Sequence, residues 1–191
     1  FRNQPDYKRF RYNVDGSNLS LLIPNGAAQT SVLGRTFINL NENAQTAALN
    51  IVKKVKVGAK DSGNELEFKT GLFYEDKTRN FGARNLGFVK STPSFQTTLP
   101  IDQLFNPQNF NTLTGIRVDE QTNPNDSYTA TNLLYAGYVQ AGLALGAKVN
   151  MVAGVRAESN SQKLDSYDLI GKPLKYDNTV LNILPSVNMT Y

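Results

Sequence analysis

Residues 46–75 read TAALNIVKKVKVGAKDSGNELEFKTGLFYE, and the period of this stretch decides the fold. Ala47, Leu49, Ile51, Val55 and Val57 alternate with Thr46, Ala48, Asn50, Lys54 and Lys56. A period of two is that of an extended chain, whose successive side chains point to opposite faces. The segment Gly58–Asn64 then supplies turn residues, which tolerate positive φ or bond their own backbone. Alternation resumes beyond it, with Leu66, Phe68, Thr70, Leu72 and Tyr74 on one side. Glu65, Glu67, Lys69, Gly71, Phe73 and Glu75 take the other. A hairpin with one apolar and one largely polar face follows from the pattern.

The same rhythm recurs along the chain. Leu133, Tyr135, Val139, Ala141, Leu143 and Leu145 alternate with Asn132, Leu134, Ala136, Tyr138, Gln140 and Gly142. After a short turn at Gly146–Lys148, Val149, Met151, Ala153, Val155 and Ala157 oppose Lys148, Asn150, Val152, Gly154, Arg156 and Glu158. Leu181, Ile183, Pro185, Val187, Met189 and Tyr191 alternate with Asn182, Ser186, Asn188 and Thr190. The expectation is an all-β, antiparallel up-and-down meander of five strands over 43–57, 64–84, 128–146, 148–161 and 180–191. Short turns join one end of these strands. Long connections, expected over 86–127 and 162–179, join the other.

Composition narrows the function. The chain has neither cysteine nor histidine, which removes disulfides, thiolate metal sites and the usual histidine-based hydrolase arrangements. The reading is therefore that the chain is no enzyme and carries no cofactor or metal site. Its net charge is +4, but the cations are scattered among 16 acids, so nucleic acid is not an expected partner. No apolar run reaches the roughly 18 to 20 residues of a membrane helix. Membrane strands need only alternate residues to be apolar, and unequal connections at the two ends are a mark of outer-membrane barrels. A one-sided soluble sheet, such as a β-sandwich that binds carbohydrate, shows similar alternation. Strand length favours the membrane, since these runs exceed the 5 or 6 or so residues usual in soluble sheets.

Several segments resemble the TonB-dependent outer-membrane receptors of the Bacteroidetes type, in the part of the barrel that follows the plug. They are FKTGLFYEDKTRNFGARNLGF (68–88), LPIDQLFNPQNF (99–110), NDSYTATNLLYAGYVQA (125–141), VAGVRAESNSQKLDSYD (152–168) and NILPSVNMTY (182–191). Gly-Val-Arg-Ala-Glu followed by Leu-Pro-Ser-Val-Asn is the most specific pair. The resemblance implies a fragment of a barrel of about 22 strands, in the outer membrane of a Gram-negative cell. It implies a plug domain expected before Phe1 and further strands expected after Tyr191, both outside this sequence. The partners it implies are outer-membrane lipid, the TonB energy-coupling complex acting through the plug, and a surface lipoprotein. The cargo it implies is a small solute such as an iron chelate, cobalamin, a glycan or a peptide.

Within the connection from Asn85 to Ser127, Phe88, Phe95, Phe105 and Phe110 are the candidate ligand-binding residues. Aromatic rings on a loop can stack on a sugar or an apolar ligand, and they can equally pack the loop upon itself. Asp119, Gln121, Asn123, Asn125 and Asp126 carry oxygens at near-alternate spacing. They lack the glycine and closing glutamate of a calcium loop, so turn chemistry explains them better. Glu65 and Glu67 share a face, but with Lys69 beside them they are expected to line a wet lumen rather than to form a hydrolytic pair.

Overall fold

The computed structural model describes residues 6–58, 64–145 and 148–191. The elements run β1 (Tyr7–Phe10), β2 (Tyr12–Asp15), β3 (Asn18–Leu21), β4 (Leu33–Lys56) and β5 (Glu65–Lys90). A short helix α1 (Ile101–Leu104) and β6 (Ile116–Glu120) follow, then β7 (Ser127–Leu145), β8 (Val149–Tyr167) and β9 (Pro173–Thr190). One sheet has the order β1-β4-β5-β7-β8-β9, with β6 also paired to β5, while β2 and β3 form a separate hairpin. Long strands that neighbour each other in sequence are hydrogen-bonded neighbours in space, which is the expected meander. Among the described residues the sheet stays open, as a segment of a larger barrel wall would.

All five expected long strands are present, and most run further than the alternation suggested. β4 begins at Leu33 rather than near 43, and β5 continues to Lys90. The long loop expected over 162–179 is absent: β8 reaches Tyr167 and β9 starts at Pro173, leaving only the turn 168–172. There Gly171 adopts φ +83°, and the Asp168 side chain accepts from the backbone N–H groups of Ile170 and Lys172. The physical reason is that a strand wetted on both faces has no need to alternate, so pairing persists after the sequence pattern has faded. The two short turns read at 58–64 and 146–148 lie largely outside the described residues.

The chain divides into two compact units. The first comprises residues 1–41, 80–128 and 166–173. Its core is Leu21, Ile23, Leu33, Leu104 and Ile116, with Phe88, Phe95 and Phe105 packed against it. Here β1 pairs antiparallel with the start of β4, Tyr7 opposite Thr36 and Phe10 opposite Leu33. The β2–β3 hairpin turns at Gly16 and Ser17, with positive φ at Gly16 alone, the pattern of a II′ turn matched to strand twist. Sequence periodicity missed this hairpin, although Asp15-Gly16 between short apolar runs is a hairpin signal.

The second unit comprises residues 42–79, 129–165 and 174–191. Its two faces separate as the alternation predicts. On one, Leu72 lies beside Gly137 and the Tyr74 ring meets Tyr135 at 5.3 Å. On the other, Tyr138 donates to Asn50 at 2.7 Å, and Lys54 bridges Glu65 and Glu67 at 3.0 and 3.3 Å. The apolar face is bare: Leu72 is 66% exposed, Leu181 68% and Val187 78%.

Candidate functional site: an ordered loop and a lipid-facing wall

The segment between β5 and β6, a long connection by sequence, is ordered by its own side chains. Pro100 opens α1, which carries Leu104 into the core, and Asn109 Nδ2 closes the helix by donating to the Gln103 and Leu104 carbonyls. Asn106 accepts from the Gln108 N–H across the following 3₁₀ turn. Asn111 Oδ1 accepts from the N–H groups of Leu113, Thr114 and Gly115 at 3.2, 2.7 and 2.9 Å. A side chain at Gly115 would collide with the Asn109 carbonyl, so only glycine fits where the chain doubles back. The asparagines that made the segment look like coil are the groups that fix it.

β6 is held on β5 by antiparallel pairing, Leu86 opposite Glu120 and Lys90 opposite Ile116. Arg84 adds a two-pronged bond to Glu120, at 2.8 and 2.9 Å. That guanidinium, helped by the Thr122 hydroxyl, holds the Glu120 carboxyl well below the usual range, to about 2. Between β6 and β7 the chain makes a 3₁₀ turn at Pro124–Asp126, capped reciprocally by Asn123 and Asp126. The Asp126 carboxylate accepts from the Asn123 N–H and from Asn85 Nδ2, and Asp119 pairs with Arg117. These acids are engaged in turn and strand chemistry, as their spacing suggested. Among the described residues no group of three or more acids is gathered as for a metal ion.

Three of the four candidate ligand-binding rings come together. Phe105 meets Phe88 edge-on at 5.2 Å and Phe110 at 5.9 Å, while Phe88 and Phe110 stand 6.2 Å apart. Phe10, which sequence reading did not single out, joins them at 6.2 Å from Phe105. Phe95 packs on the aliphatic core instead. Phe88, Phe95 and Phe105 are partly buried, whereas Phe110 is exposed. The aromatic set is thus chiefly the inner packing of the loop, with one ring at its surface. The alternating apolar residues Leu19 and Leu21, and Ile23 after them, were the available signal for the N-terminal half of this core.

The polar face of the second unit is a network of matched charges. Besides the Lys54 bridge, Arg156 pairs with Glu158 and lies over the Phe73 ring, and Arg79 pairs with Glu42. A Cβ at Gly71 would fall against Asn50 and Tyr138, so glycine is what lets their hydrogen bond cross the strand. Glu65 and Glu67 share one lysine, Lys54, as members of a solvated charge cluster. This face suits a water-filled interior, and the opposite one suits hydrocarbon.

Long meandering strands, a wet face of paired charges and a bare apolar face together define a wall of a membrane β-barrel. The chain belongs to the outer membrane protein beta-barrel family, whose model matches residues 95–191. It is accordingly a protein of the outer membrane, and the soluble sandwich reading is set aside. No curated protein matches the chain.

Proposed function

We propose that this chain is the wall and a loop region of a TonB-dependent receptor that imports a scarce solute across the outer membrane. One observation carries the reading. The two most specific receptor-like segments, Gly154–Glu158 and Leu184–Asn188, fall on β8 and β9, which are hydrogen-bonded neighbours. Segments that resemble one family in sequence and also adjoin in space act as a single structural unit. In this reading the wall is passive: paired backbone amides tolerate hydrocarbon, where each unpaired one costs several kcal/mol. Recognition belongs to the ordered loop 91–115, whose exposed Phe110 ring, set in place by Phe88 and Phe105, contacts the cargo. The cargo class is an iron chelate, cobalamin, a glycan or a peptide. TonB acting through a plug, and a surface lipoprotein, are the proposed partners, and no catalytic step is assigned.

The test is the parent gene together with its product. The reading frame is expected to encode a plug before this segment and more amphipathic strands after it, and the intact product to bind the purified periplasmic domain of TonB. A frame without a plug, or a product that TonB ignores, overturns the receptor reading and leaves the barrel wall standing.

A further inference from the structure

Among the described residues, the apolar band of the second unit carries one outward cation. On β4 the outward side reads Ala47, Leu49, Ile51, Lys53, Val55 and Val57, so a lysine stands where the alternation calls for an apolar residue. The lysines beside it in sequence point the other way: Lys54 bridges Glu65 and Glu67 on the polar face, and Lys56 shares that parity. Lys53 itself is exposed, between Ile51 and Val55, which are 58% and 41% exposed. The backbone N–H of Val57 donates to the Asn64 carbonyl, and a Cβ at Gly71 would meet Asn50. That register sets Lys53 across from Phe68 and Ala47 across from Tyr74.

No acid among the described residues answers this charge. Lys53 makes no ion pair with any of them. Glu65 and Glu67 lie on the opposite face and are held by Lys54. The first acid on the outward side of β5 is Asp76, eight residues beyond Phe68. At a rise of about 3.3 Å per residue and a tilt of about 40°, that is roughly 20 Å up the wall. Asp165 and Asp177 on β8 and β9 lie toward that same far end and are taken by Lys175 and Lys163. The counter-charge for Lys53 therefore comes from outside these strands.

Depth says which counter-charge is in reach. By the same rise and tilt Lys53 stands roughly 10 Å from Val57, beside the turn, and roughly 15 Å from Ala47, at the level of the Tyr74–Tyr135 pair. On β5 the last outward apolar residue before the turn is Leu66, only roughly 5 Å from the level of Phe68. Lys53 thus belongs to the half of the band nearer the short turns, which face the periplasm in outer-membrane barrels. Its flexible stem carries the ammonium several ångströms further toward that rim while the methylenes stay among apolar neighbours. A bare cation in hydrocarbon is costly, and the cost falls as the charge nears the headgroups.

We propose that Lys53 binds the phosphate of a phospholipid in the periplasmic leaflet, donating a charge-assisted hydrogen bond to a phosphate oxygen. Ile51, Val55 and Phe68 border the upper part of that lipid's acyl chains. An uncompensated positive charge on the outward side, nearer one rim of the band, is complementary to the phosphate layer at that rim. The inference rests on the barrel's place in the outer membrane and not on solute import, so it stands or falls separately from the receptor reading.

The test uses the intact protein with isotope-labelled lysine nitrogen, in vesicles of phosphatidylethanolamine and phosphatidylglycerol and a phosphate-free buffer, so that lipid is the only source of phosphorus. Solid-state NMR is expected to show a lysine Nζ signal attenuated by dipolar coupling to phosphorus. K53M is expected to remove most of that attenuation, while K56M, changed on the polar face, leaves it. Within this chain no native thiol competes for a nitroxide label. Labels at Ile51 and Val55 are expected to meet dissolved oxygen and to avoid a water-soluble nickel chelate, in K53M as in the natural sequence, which also shows that the variant is folded in the bilayer. Attenuation that survives K53M, a Lys53 ammonium coupled to a protein carboxylate in place of phosphorus, or labels at Ile51 and Val55 reached by the chelate in the natural sequence would each overturn the proposal.

Discussion

The two units of this chain use the same strands and opposite solvents. In the first, Leu21, Leu33, Leu104 and Ile116 are buried against one another, as in any water-soluble domain. In the second, Leu49, Leu72, Val155 and Leu181 are exposed, and the side chains that meet across strands are chiefly polar ones. Hydrophobic residues in the first unit are satisfied by protein, and in the second by lipid. Apolar burial is therefore a property of the surroundings as much as of the fold, and a single continuous strand such as β4 or β5 contributes to both arrangements.

The strongest test of this contrast is truncation of the loop core. Leu104→Ala is expected to cost about 2 to 5 kcal/mol, because a fully buried leucine leaves both lost contacts and a cavity. Hydrogen exchange should rise across 101–120 and stay unchanged across 66–74. Equal exchange in both segments would merge the two regions into one cooperative block. Next in size is Leu72→Arg, expected to destabilise the protein in vesicles by about 2 to 4 kcal/mol, the penalty for a cation deep in the lipid-facing band. Leu113→Arg changes a residue that is 80% exposed in the first unit and should stay within about 0.5 kcal/mol. Equal effects at these two exposed leucines would remove the distinction between a lipid face and a water face.

The smallest expected effect is the pH response of β6. Glu120 is held at about 2 by Arg84 and Thr122, below the 4.5 of an unperturbed glutamate. The unfolded chain thus takes up the proton more readily than the folded one. Stabilisation by this contact is complete above the higher value and declines as the pH falls toward the lower one. Amide exchange at 116–120, corrected for its intrinsic pH dependence, should therefore accelerate between pH 4.5 and 2 in the natural protein. In Glu120→Gln that dependence should be absent. An unchanged pH response in the variant would assign the hold on β6 to backbone pairing alone.

How much of this was legible in the sequence follows from the same contrast. Alternation is imposed only where a strand separates two different media, so Ala47–Val57, Leu66–Tyr74 and Leu133–Leu145 were plain to read. Past Ser161 on β8 and before Thr179 on β9 both faces are wet, and Gln162, Lys163 and Asp177 look like loop while remaining paired. The loop core was concealed for another reason. Its partners, Leu21, Leu33, Leu104 and Ile116, come from distant parts of the chain, and local periodicity is blind to contacts between them. Three of the four candidate phenylalanines meet one another, but which ring would face outward depended on α1 and on the Asn111 turn. The sequence shows those asparagines without showing which amide hydrogens they accept.

Asn85 lies on β5. Its Oδ1 accepts from the Thr36 hydroxyl at 2.7 Å, and its Nδ2 donates to Asp126 at 3.0 Å. One amide thereby fastens β4, β5 and the entry to β7 at a single point. A slip of one residue between strands reverses every side chain along them. Along the parts of β4 and β5 that belong to the second unit, such a slip would turn lysines to the oil and leucines to the water. An aspartate in the same place could accept but not donate, and a lysine could donate but not accept. The two-handed amide works as the pin of a zipper, holding β4, β5 and the entry to β7 in step at that point.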